Sequence, residues 1–415
     1  MRKLLLKLPR IPVILQNRFF VLFLLARVSS ALAYQMLAVA VGWQIYAMTG
    51  SAFYLGLVGL VQFLPMFLLT LAVGHVADRY NRRLIASGAQ FIQGLGVISL
   101  AFGTYSGWLG KETLLIIVFM IGAAHAFEGP PMQALLPSLV DAGVFPRATA
   151  LAAAAFQGAS IFGPMIGGFL YLAGPATVYG TIAILLLAAS LLVFMIRMQQ
   201  TSSRREQVTL RSIFAGIAFI RSRPVILGAI SLDLFAVLLG GATALLPVYA
   251  QKILHCGPEG LGTLRAAPGI GALIVSLYLA RLPLRRQVGR IMLLAVMIFG
   301  IATVIFALST SFTLSLIVLA ILGAADVFSV VIRSSLIQLR TPDEMRGRVG
   351  AVNSMFIGTS NQLGEFESGL TAHWFGAVSA VIIGGVGTMV VVLLWIKLFP
   401  ELMKVNTLEN VIDTG

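Results

Sequence analysis

Residues 74–83 read GHVADRYNRR, a short charged stretch between two long apolar segments. Charge this dense has to lie in water, so we interpret the stretch as a turn that joins the same-side ends of two membrane-spanning helices. A glycine at its start would let those helices approach closely. A loop that only orients the protein would need basic residues and no acid, so the acid indicates a second role. The residues concerned are Gly74, Asp78, Arg79, Arg82 and Arg83.

The composition of the whole chain agrees with a membrane setting. Of 415 residues, 59% are hydrophobic and 11% are charged, and the mean hydropathy is +0.96. A soluble domain of this composition would aggregate, so we expect an integral membrane protein. The net charge of +14 lies in short loops without interleaved aromatic residues, which argues against nucleic-acid binding. The single cysteine, Cys256, leaves no disulfide framework and no thiolate metal site.

Twelve segments are long and apolar enough to cross a bilayer, which takes about 20 residues of helix. We therefore predict an all-α membrane protein with twelve transmembrane helices in two pseudo-symmetric six-helix bundles. Residues 1–18 combine basic residues, prolines and no cleavage site, and are expected to be a retained inner arm. The predicted spans cover residues 19–47, 52–73, 84–106, 112–138, 147–173, 176–197, 224–250, 260–281, 289–309, 312–339, 347–373 and 376–399.

The distribution of basic residues sets the expected orientation. With both termini inside, 24 of the 29 lysines and arginines lie in inner segments, 2 in outer loops and 3 within spans. We therefore expect a multi-pass protein of the cytoplasmic membrane with both termini in the cytoplasm.

The middle of the chain, residues 198–211, is polar and predicts a linker between the halves. Apolar residues then recur at helical spacing between arginines, which predicts a short amphipathic helix on the inner membrane surface. The alternative is that this segment is only the inner start of span 7. The expected division is an N-terminal half at residues 1–197, a linker at 198–222 and a C-terminal half at 223–415.

The two halves resemble each other in sequence. An offset of 201 residues places GAAH at 122–125 on GAAD at 323–326, and 163–168 on 364–369. For the first three spans the offset is near 206, and Arg27 is then equivalent to Asp233. Repeated six-span halves build a central site between them. Because these two residues have opposite charge, we expect them to pair across that site, either in the transport cycle or as a static ion pair.

Three motifs carry a resemblance to a known family. Residues 74–83 resemble the major facilitator signature G-x-x-x-D-R-x-G-R-R, with Asn81 in place of the second glycine. Asparagine also tolerates a left-handed turn conformation, so the match with the signature is largely kept. Residues 325–348 and 364–369 are similar to the enterobactin exporter branch, which includes macrolide efflux proteins. The GPMIGG stretch resembles the G-P-x-x-G-G motif of proton-driven exporters through Gly163, Pro164, Gly167 and Gly168, although small residues also serve ordinary helix packing.

This resemblance implies a secondary transporter in which spans 1, 4, 7 and 10 line a central cavity. It implies export of a small amphipathic molecule, a siderophore or a drug-like compound, in exchange for protons. Uptake of a metabolite is the alternative within this fold. The expected partners are the small-molecule substrate, protons and the lipid bilayer, with no cofactor and a single copy sufficient. We expect Asp78 to latch the inner side by accepting hydrogen bonds from Arg82 or from a span of the other half.

Ionisable residues within spans are functional candidates because each costs about 2.5–3.5 kcal/mol to insert. Asp326 is the favoured proton carrier, since it lies near mid-span among apolar neighbours. Arg333 follows two helical turns later on the same face, roughly 10 Å away, where it would bias the acid without pairing with it. Glu128 and Asp233 are the other proton-coupling candidates, and Arg27 and Arg333 are the expected charge partners in the cavity.

Three further residues within spans receive a weaker interpretation. Glu365 and Glu367 in span 11 are secondary candidates, with structural hydrogen bonding as the alternative. His125 is left outside the site, because a buried histidine is more often a packed polar residue than a ligand.

Enzymatic chemistry finds little support in the sequence. No Walker-type loop, G-x-S-x-G elbow or H-E-x-x-H motif is present, so no catalytic residue and no metal site are expected. A non-transporting membrane receptor or an intramembrane enzyme remains the alternative from another class. The four histidines are scattered at His75, His125, His255 and His373.

Overall fold

The computed structural model describes residues 13–141, 143–197, 210–282, 284 and 286–407, without the side chains of 13–14, 70–72, 74–75, 77–78 and 210–213. Over these residues the only regular structure is helical. Twelve long segments, named spans 1 to 12, are Arg18–Thr49, Ala52–Arg79, Arg82–Tyr105, Lys111–Leu139, Phe145–Tyr171, Pro175–Phe194, Pro224–Ile253, Pro258–Arg281, Val288–Leu308, Phe312–Arg340, Asp343–Phe375 and Ala377–Leu398.

Eleven of these segments are apolar enough to cross a membrane, and the predicted all-α membrane fold is confirmed. Span 11 is the exception, because charged and amide side chains interrupt it throughout its length. It packs against spans 2 and 7, so much of this polar surface contacts protein. A polar helix is tolerated at membrane depth where neighbouring protein or a cavity surrounds it.

The packing of the spans repeats after six helices. Spans 3 and 6, spans 2 and 4, and spans 1 and 5 pack together in the first half. The corresponding pairs in the second half are spans 9 and 12, spans 8 and 10, and spans 7 and 11. The sequence repeat is thus also a repeat of helix contacts. The expected boundaries at residues 197 and 223 stay a prediction, and residues 198–209 of the linker and 1–12 of the arm lie outside the described residues.

The charged stretch at 74–83 is less of a turn than its composition indicates. Span 2 stays helical to Arg79, and only Tyr80 and Asn81 separate it from span 3. Asn81 has φ −64° and ψ 110°, so it does not use the left-handed conformation that asparagine tolerates. Its side chain caps span 3 by accepting a hydrogen bond from the Arg83 backbone N–H at 3.0 Å. An N-cap residue has a non-helical, extended backbone, as observed here.

Arg83 connects spans 3 and 6 at the arginine-rich end of the first half. Its Nη1 donates to the Ile196 carbonyl oxygen at 2.8 Å, and its guanidinium carbon lies over the Phe194 ring, 5.3 Å from the ring centroid. Spans 3 and 6 are therefore tied together at this end. The Asp78 side chain lies outside the described residues, so its role as an inner latch stays a prediction.

A short helix, Leu210–Ser222, precedes span 7 as the amphipathic pattern predicts. Ile220 is buried in a cluster with residues of spans 7, 10 and 11, whereas Phe214 is 65% exposed. Gly216 fits against the Arg348 backbone, which lets the helix lie directly on span 11. The helix thus packs across the arginine-rich ends of spans 7, 10 and 11.

Close glycine contacts join the two halves on the side opposite the arginine-rich loops, here called the outer side. A Cβ on Gly168 of span 5 would meet backbone atoms of Pro258 and Gly262 of span 8. A Cβ on Gly369 of span 11 would meet the Gly56 backbone of span 2 in the same way. These four glycines form the outer seam, where backbones approach too closely for any side chain.

The Gly-Pro motif of span 5 therefore serves packing on two sides. Gly163 and Gly167 lie against Gln35 and Met36 of span 1, within the first half. Gly168 lies against span 8 in the second half, and the Pro164 carbonyl faces Gly262. Pro164 itself lies inside the helix. Whether the motif also serves proton exchange stays a prediction.

Gly168→Ala should separate the outer ends of the two halves, because the added methyl group meets backbone atoms that cannot move as a side chain does. We expect a loss of about 1–3 kcal/mol in stability, as for other overpacked sites. Gly158→Ala is the matched control, since a Cβ there meets nothing within 4 Å.

The measurement is electron–electron double resonance between spin labels on the native Cys256 and on an introduced Ala173→Cys. Gly168→Ala should lengthen the distance between these labels, and Gly158→Ala should leave it unchanged. Identical distance distributions in the two variants would show that the outer seam does not hold the halves together.

Candidate functional site

The first polar centre of the membrane interior is built around Glu128, where span 4 is interrupted. Span 4 consists of two helices, Lys111–Ala126 and Gly129–Leu139. Pro130 and Pro131 follow Glu128 and have no N–H to donate to the preceding turn, so the helix breaks there. The break leaves Glu128 at the joint, 6% exposed, with its side chain turned into the bundle.

Four side chains surround this carboxylate. Oε1 accepts hydrogen bonds from Gln90 Nε2 at 2.9 Å and from the Ser30 hydroxyl. Oε2 accepts from Gln93 Nε2 at 2.9 Å and lies 3.2 Å from His125 Nδ1. Hydrogen bonds to an ionised acceptor are about twice as strong as neutral ones, so this centre stabilises the negative charge of Glu128.

His125 connects this centre to the middle of the protein. Its ring stacks on Tyr34 with the ring centroids 4.4 Å apart. The Tyr34 hydroxyl in turn lies 3.4 Å from Gln62 Oε1 of span 2. The sequence analysis left His125 outside the site as a packed polar residue, and the structure places it in direct contact with the candidate carboxylate. The spacing of three residues between His125 and Glu128 is the signal that could have indicated this contact.

Arg27 lies beside the same centre and is only partly compensated. Its guanidinium stands 5.7 Å from the Phe156 ring centroid and interacts electrostatically with Glu128. The Arg27 Nε is buried and has no hydrogen-bond partner. A half-buried arginine with an unused buried donor is a candidate contact for an anionic or aromatic substrate group.

The second polar centre lies in the C-terminal half and contains an ion pair. Asp233 of span 7 and Arg333 of span 10 are 5% and 2% exposed, and Arg333 Nη1 contacts Asp233 Oδ2 directly. The expected pairing of Asp233 with Arg27 is therefore wrong. Equivalence under an internal repeat relates positions by symmetry, whereas pairing needs side chains that face each other within one bundle.

Asp326 shares this second centre without joining the ion pair. A cavity of about 10 Å³ is lined by Asp233, Asp326 and Ser329, and this volume is close to that of one water molecule. Within the part of the chain that the structure describes, Asp326 forms no hydrogen bond or ion pair, and the Ser329 hydroxyl is buried without a partner. Arg333 does follow Asp326 on the same helix, as expected, but it contacts the other acid.

The secondary candidates in span 11 differ in their surroundings. Glu365 lies at the interface between the halves, where its side chain fills the space beside Gly59 of span 2. It interacts electrostatically with Arg265 of span 8. Glu367 accepts a hydrogen bond from the Thr371 hydroxyl at 2.8 Å, one turn along its own helix. Glu365 therefore contacts both halves, and Glu367 has the local hydrogen bond that the structural alternative describes.

No group of three histidine, cysteine or acidic side chains among the described residues could hold a metal ion. The two polar centres differ in how the charges of their carboxylates are compensated. The Glu128 centre supplies four partners to one carboxylate, whereas the second centre contains two carboxylates and pairs only Asp233 with an arginine.

Known proteins match this chain over most of its length. The family described as transmembrane secretion effector matches residues 12–411. The enterobactin exporter EntS of Citrobacter koseri is 27% identical over 92% of this chain and 91% of its own length. The EntS of Salmonella choleraesuis is 27% identical over 94% of each chain.

Solved structures of other transporters share the fold. A bacterial homolog of the human lysosomal transporter Spinster, inward-facing and occupied, has a TM-score of 0.72 at 13% identity and covers 93% of this chain and 96% of its own. The nucleoside transporter NupG has a TM-score of 0.70 at 12% identity and covers 92% of this chain and 100% of its own. At these identities the likeness concerns the fold alone.

Removing Arg333 should destabilise the protein because Asp233 would be left as an uncompensated buried charge. We expect Arg333→Met to lower the free energy of unfolding by about 3–5 kcal/mol, as when one partner of a buried pair is removed. The double variant Asp233→Leu with Arg333→Met should recover most of this loss, since apolar groups replace both charges.

The matched control combines Asp233→Leu with Arg27→Met, whose effects should simply add. Unfolding temperatures of the purified variants in detergent provide the comparison. A rescue by Arg27→Met instead of Arg333→Met would contradict the observed pairing.

Proposed function

The chain belongs to the transmembrane secretion effector family of the major facilitator superfamily, and we propose that it exports a small amphipathic molecule in exchange for protons. It is a multi-pass membrane transport protein. The proposal adds the direction, the coupling ion and the alternating-access cycle. It also adds the orientation with both termini in the cytoplasm, which the excess of basic residues in one set of loops supports.

The relatives support export of a siderophore or a drug-like compound. Their names describe an exporter of enterobactin, and they align with this chain from end to end of the helical bundle. An identity of 27% leaves the substrate open to change, so the proposal names a class rather than a molecule. Arg27 beside the Phe156 ring is a fitting contact for an aromatic or acidic group of such a compound.

The observation that carries proton coupling is that Asp233 and Asp326 line one small cavity, and only Asp233 is paired with an arginine, Arg333. With both acids ionised, these three side chains have one net negative charge, which is costly away from water. One proton on Asp326 makes the set neutral without disturbing the ion pair. Asp326 can thus bind and release a proton as water reaches or leaves the cavity, and Arg333 can change its partner between the two acids.

Glu128 serves a different role in this proposal. Its four partners stabilise the ionised form in the conformation described here, so proton binding requires that some of them move away. His125 is placed to take part, because its Nδ1 contacts Glu128 and its ring contacts Tyr34. We assign Asp326 as the proton carrier, and Glu128 and Asp233 as the next candidates.

Three alternatives remain distinguishable by experiment. A carrier that imports a metabolite would use the same fold in the opposite direction. A receptor would bind a ligand without moving it, and an intramembrane enzyme would convert it. Accumulation of an unmodified compound in inverted membrane vesicles, dependent on this protein, would separate an exporter from all three.

Deletion of the gene should reduce secretion of an iron chelator, raise sensitivity to amphipathic drugs, or do both. The physical reason is that the compound would remain on the inner side without its exporter. Secreted chelator and growth inhibition are measured in the deletion strain, with the wild-type gene restored as the control. Unchanged secretion and sensitivity, together with reduced uptake of a nutrient, would favour the import alternative.

Asp326→Asn should abolish export driven by a pH gradient and spare exchange of substrate for substrate. The amide cannot ionise, so the cycle loses its proton step but keeps its substrate site. Both rates are measured in proteoliposomes, by gradient-driven transport and by counterflow. Glu112→Gln, the same kind of change at a side chain that is 73% exposed, is the control and should keep both activities. Uphill export by Asp326→Asn would transfer the carrier role to Glu128 or Asp233.

A further inference from the structure

A cavity unrelated to the two polar centres opens on the arginine-rich face of the second half. Its volume is about 400 Å³, and it lies where spans 7, 10 and 11 meet the short helix Pro400–Lys404. Arginine side chains and apolar side chains line it together. The residues used below are Arg223, Val225, Leu339, Arg340, Thr341, Arg346 and Glu401.

Two arginines of this cavity, Arg346 and Arg223, retain donors for a ligand. Arg346 uses two of its nitrogens, with Nη1 at 2.6 Å from Asp343 Oδ1 and Nε donating to the Gln338 carbonyl at 3.0 Å. Arg223 is exposed and stacks against the Phe219 ring at 5.9 Å. A guanidinium has five N–H donors in a planar fork that matches the oxygens of a phosphate group.

Thr341 supplies an independent sign of a ligand. It lies in the short link between spans 10 and 11, is 2% exposed, and lines the cavity. Its hydroxyl has no hydrogen-bond partner. Leaving a buried hydroxyl unsatisfied costs about 1–3 kcal/mol, so a ligand that accepts its proton would remove a penalty.

The start of span 7 provides a second set of donors. This helix begins at Pro224 with no acidic residue in its first turn, and the side chain of Arg223 does not cap it. Its first N–H groups and the positive end of its dipole therefore favour an anion. Val225 of the same turn lines the cavity.

The charges in and beside the cavity favour an anionic ligand. Three arginines are opposed by Glu401, which lines the cavity, and by Asp343, which is paired with Arg346. Among the described side chains the basic groups outnumber the acidic ones, which favours an anion such as a phosphodiester over an uncharged ligand. Leu339 is 55% exposed and adds an apolar wall that suits the glycerol and acyl region of a lipid.

We propose that this cavity binds the phosphodiester headgroup of an acidic phospholipid from the adjacent leaflet. Basic pockets between the ends of transmembrane helices are suited to such headgroups. The bound lipid would join spans 7, 10 and 11 at the end where the Leu210–Ser222 helix also packs. It would thereby stabilise the second half as one body.

The test uses the purified full-length protein in neutral detergent, with its unfolding temperature measured against added phosphatidylglycerol. Phosphatidylcholine of the same chain length and inorganic phosphate are the comparison ligands. Phosphatidylglycerol should stabilise the protein, phosphatidylcholine should do so far less, and Arg223→Gln should weaken the apparent affinity about tenfold, the loss of roughly one charge-assisted hydrogen bond.

Two further variants should change the affinity for phosphatidylglycerol in opposite directions. Thr341→Val should weaken phosphatidylglycerol binding several-fold while leaving the lipid-free protein equally or more stable, because it removes an unsatisfied hydroxyl. Glu401→Gln should strengthen binding, because it removes an opposing charge. Arg281→Gln, at an exposed arginine outside the cavity, is the matched control and should change nothing.

Two results would overturn the proposal. Equal stabilisation of all variants by phosphatidylglycerol, or equal stabilisation by phosphatidylcholine, would place the lipid effect elsewhere. If inorganic phosphate stabilises the protein equally and displaces phosphatidylglycerol, the cavity binds a soluble phosphate and the assignment to a lipid is wrong.

Discussion

The structure depends on the cost of placing charge in a hydrocarbon layer. An ionised side chain away from water has to be compensated by an opposite charge or by several hydrogen bonds. Glu128 is compensated by four neighbours from spans 1, 3 and 4, and Asp233 by Arg333. These contacts fix how the helices of each half face one another. A buried polar residue therefore restricts the rotation of its span more than the surrounding leucines do. An apolar side chain can exchange one apolar neighbour for another, whereas a buried charge that loses its partner has a high cost.

The two halves meet this requirement unequally. Both oxygens of the Glu128 carboxylate have partners, whereas the second centre contains two acids and one arginine. Among the described residues, Asp326 is left without an opposite charge or a hydrogen bond. A proton on Asp326 would remove the cost of an uncompensated charge, whereas a proton on Glu128 would weaken hydrogen bonds that its ionised form accepts. The repeat in the sequence has thus diverged in charge while its helix contacts have been kept.

The sequence predicted the spans closely because the hydrophobic period and the span length are local properties. It predicted individual contacts less well. Asn81 could also have adopted a left-handed turn, but it is an extended N-cap that accepts a hydrogen bond at the start of span 3. Arg27 was expected to pair with Asp233, yet Asp233 pairs with Arg333 of its own half, and Arg27 interacts with Glu128 of its own half. His125 was set aside, although the break before Pro130 turns Glu128 back towards it. Side-chain pairing depends on helix rotation, which hydropathy does not encode.

The position of the charges relative to the outer seam determines what a separation of the two halves would cost. The hydrogen bonds of the Glu128 centre all lie within the first half, and the Asp233–Arg333 ion pair lies within the second. The outer seam between the halves consists of glycine backbones in van der Waals contact. Opening the seam therefore costs dispersion energy but leaves those buried charges compensated. Glu365 is different, because it lies beside Gly59 of the other half while it interacts with Arg265 of its own. Separation of the halves would expose this carboxylate on one side only, so its surroundings report the conformation in a way that those of Glu128 and Asp233 do not.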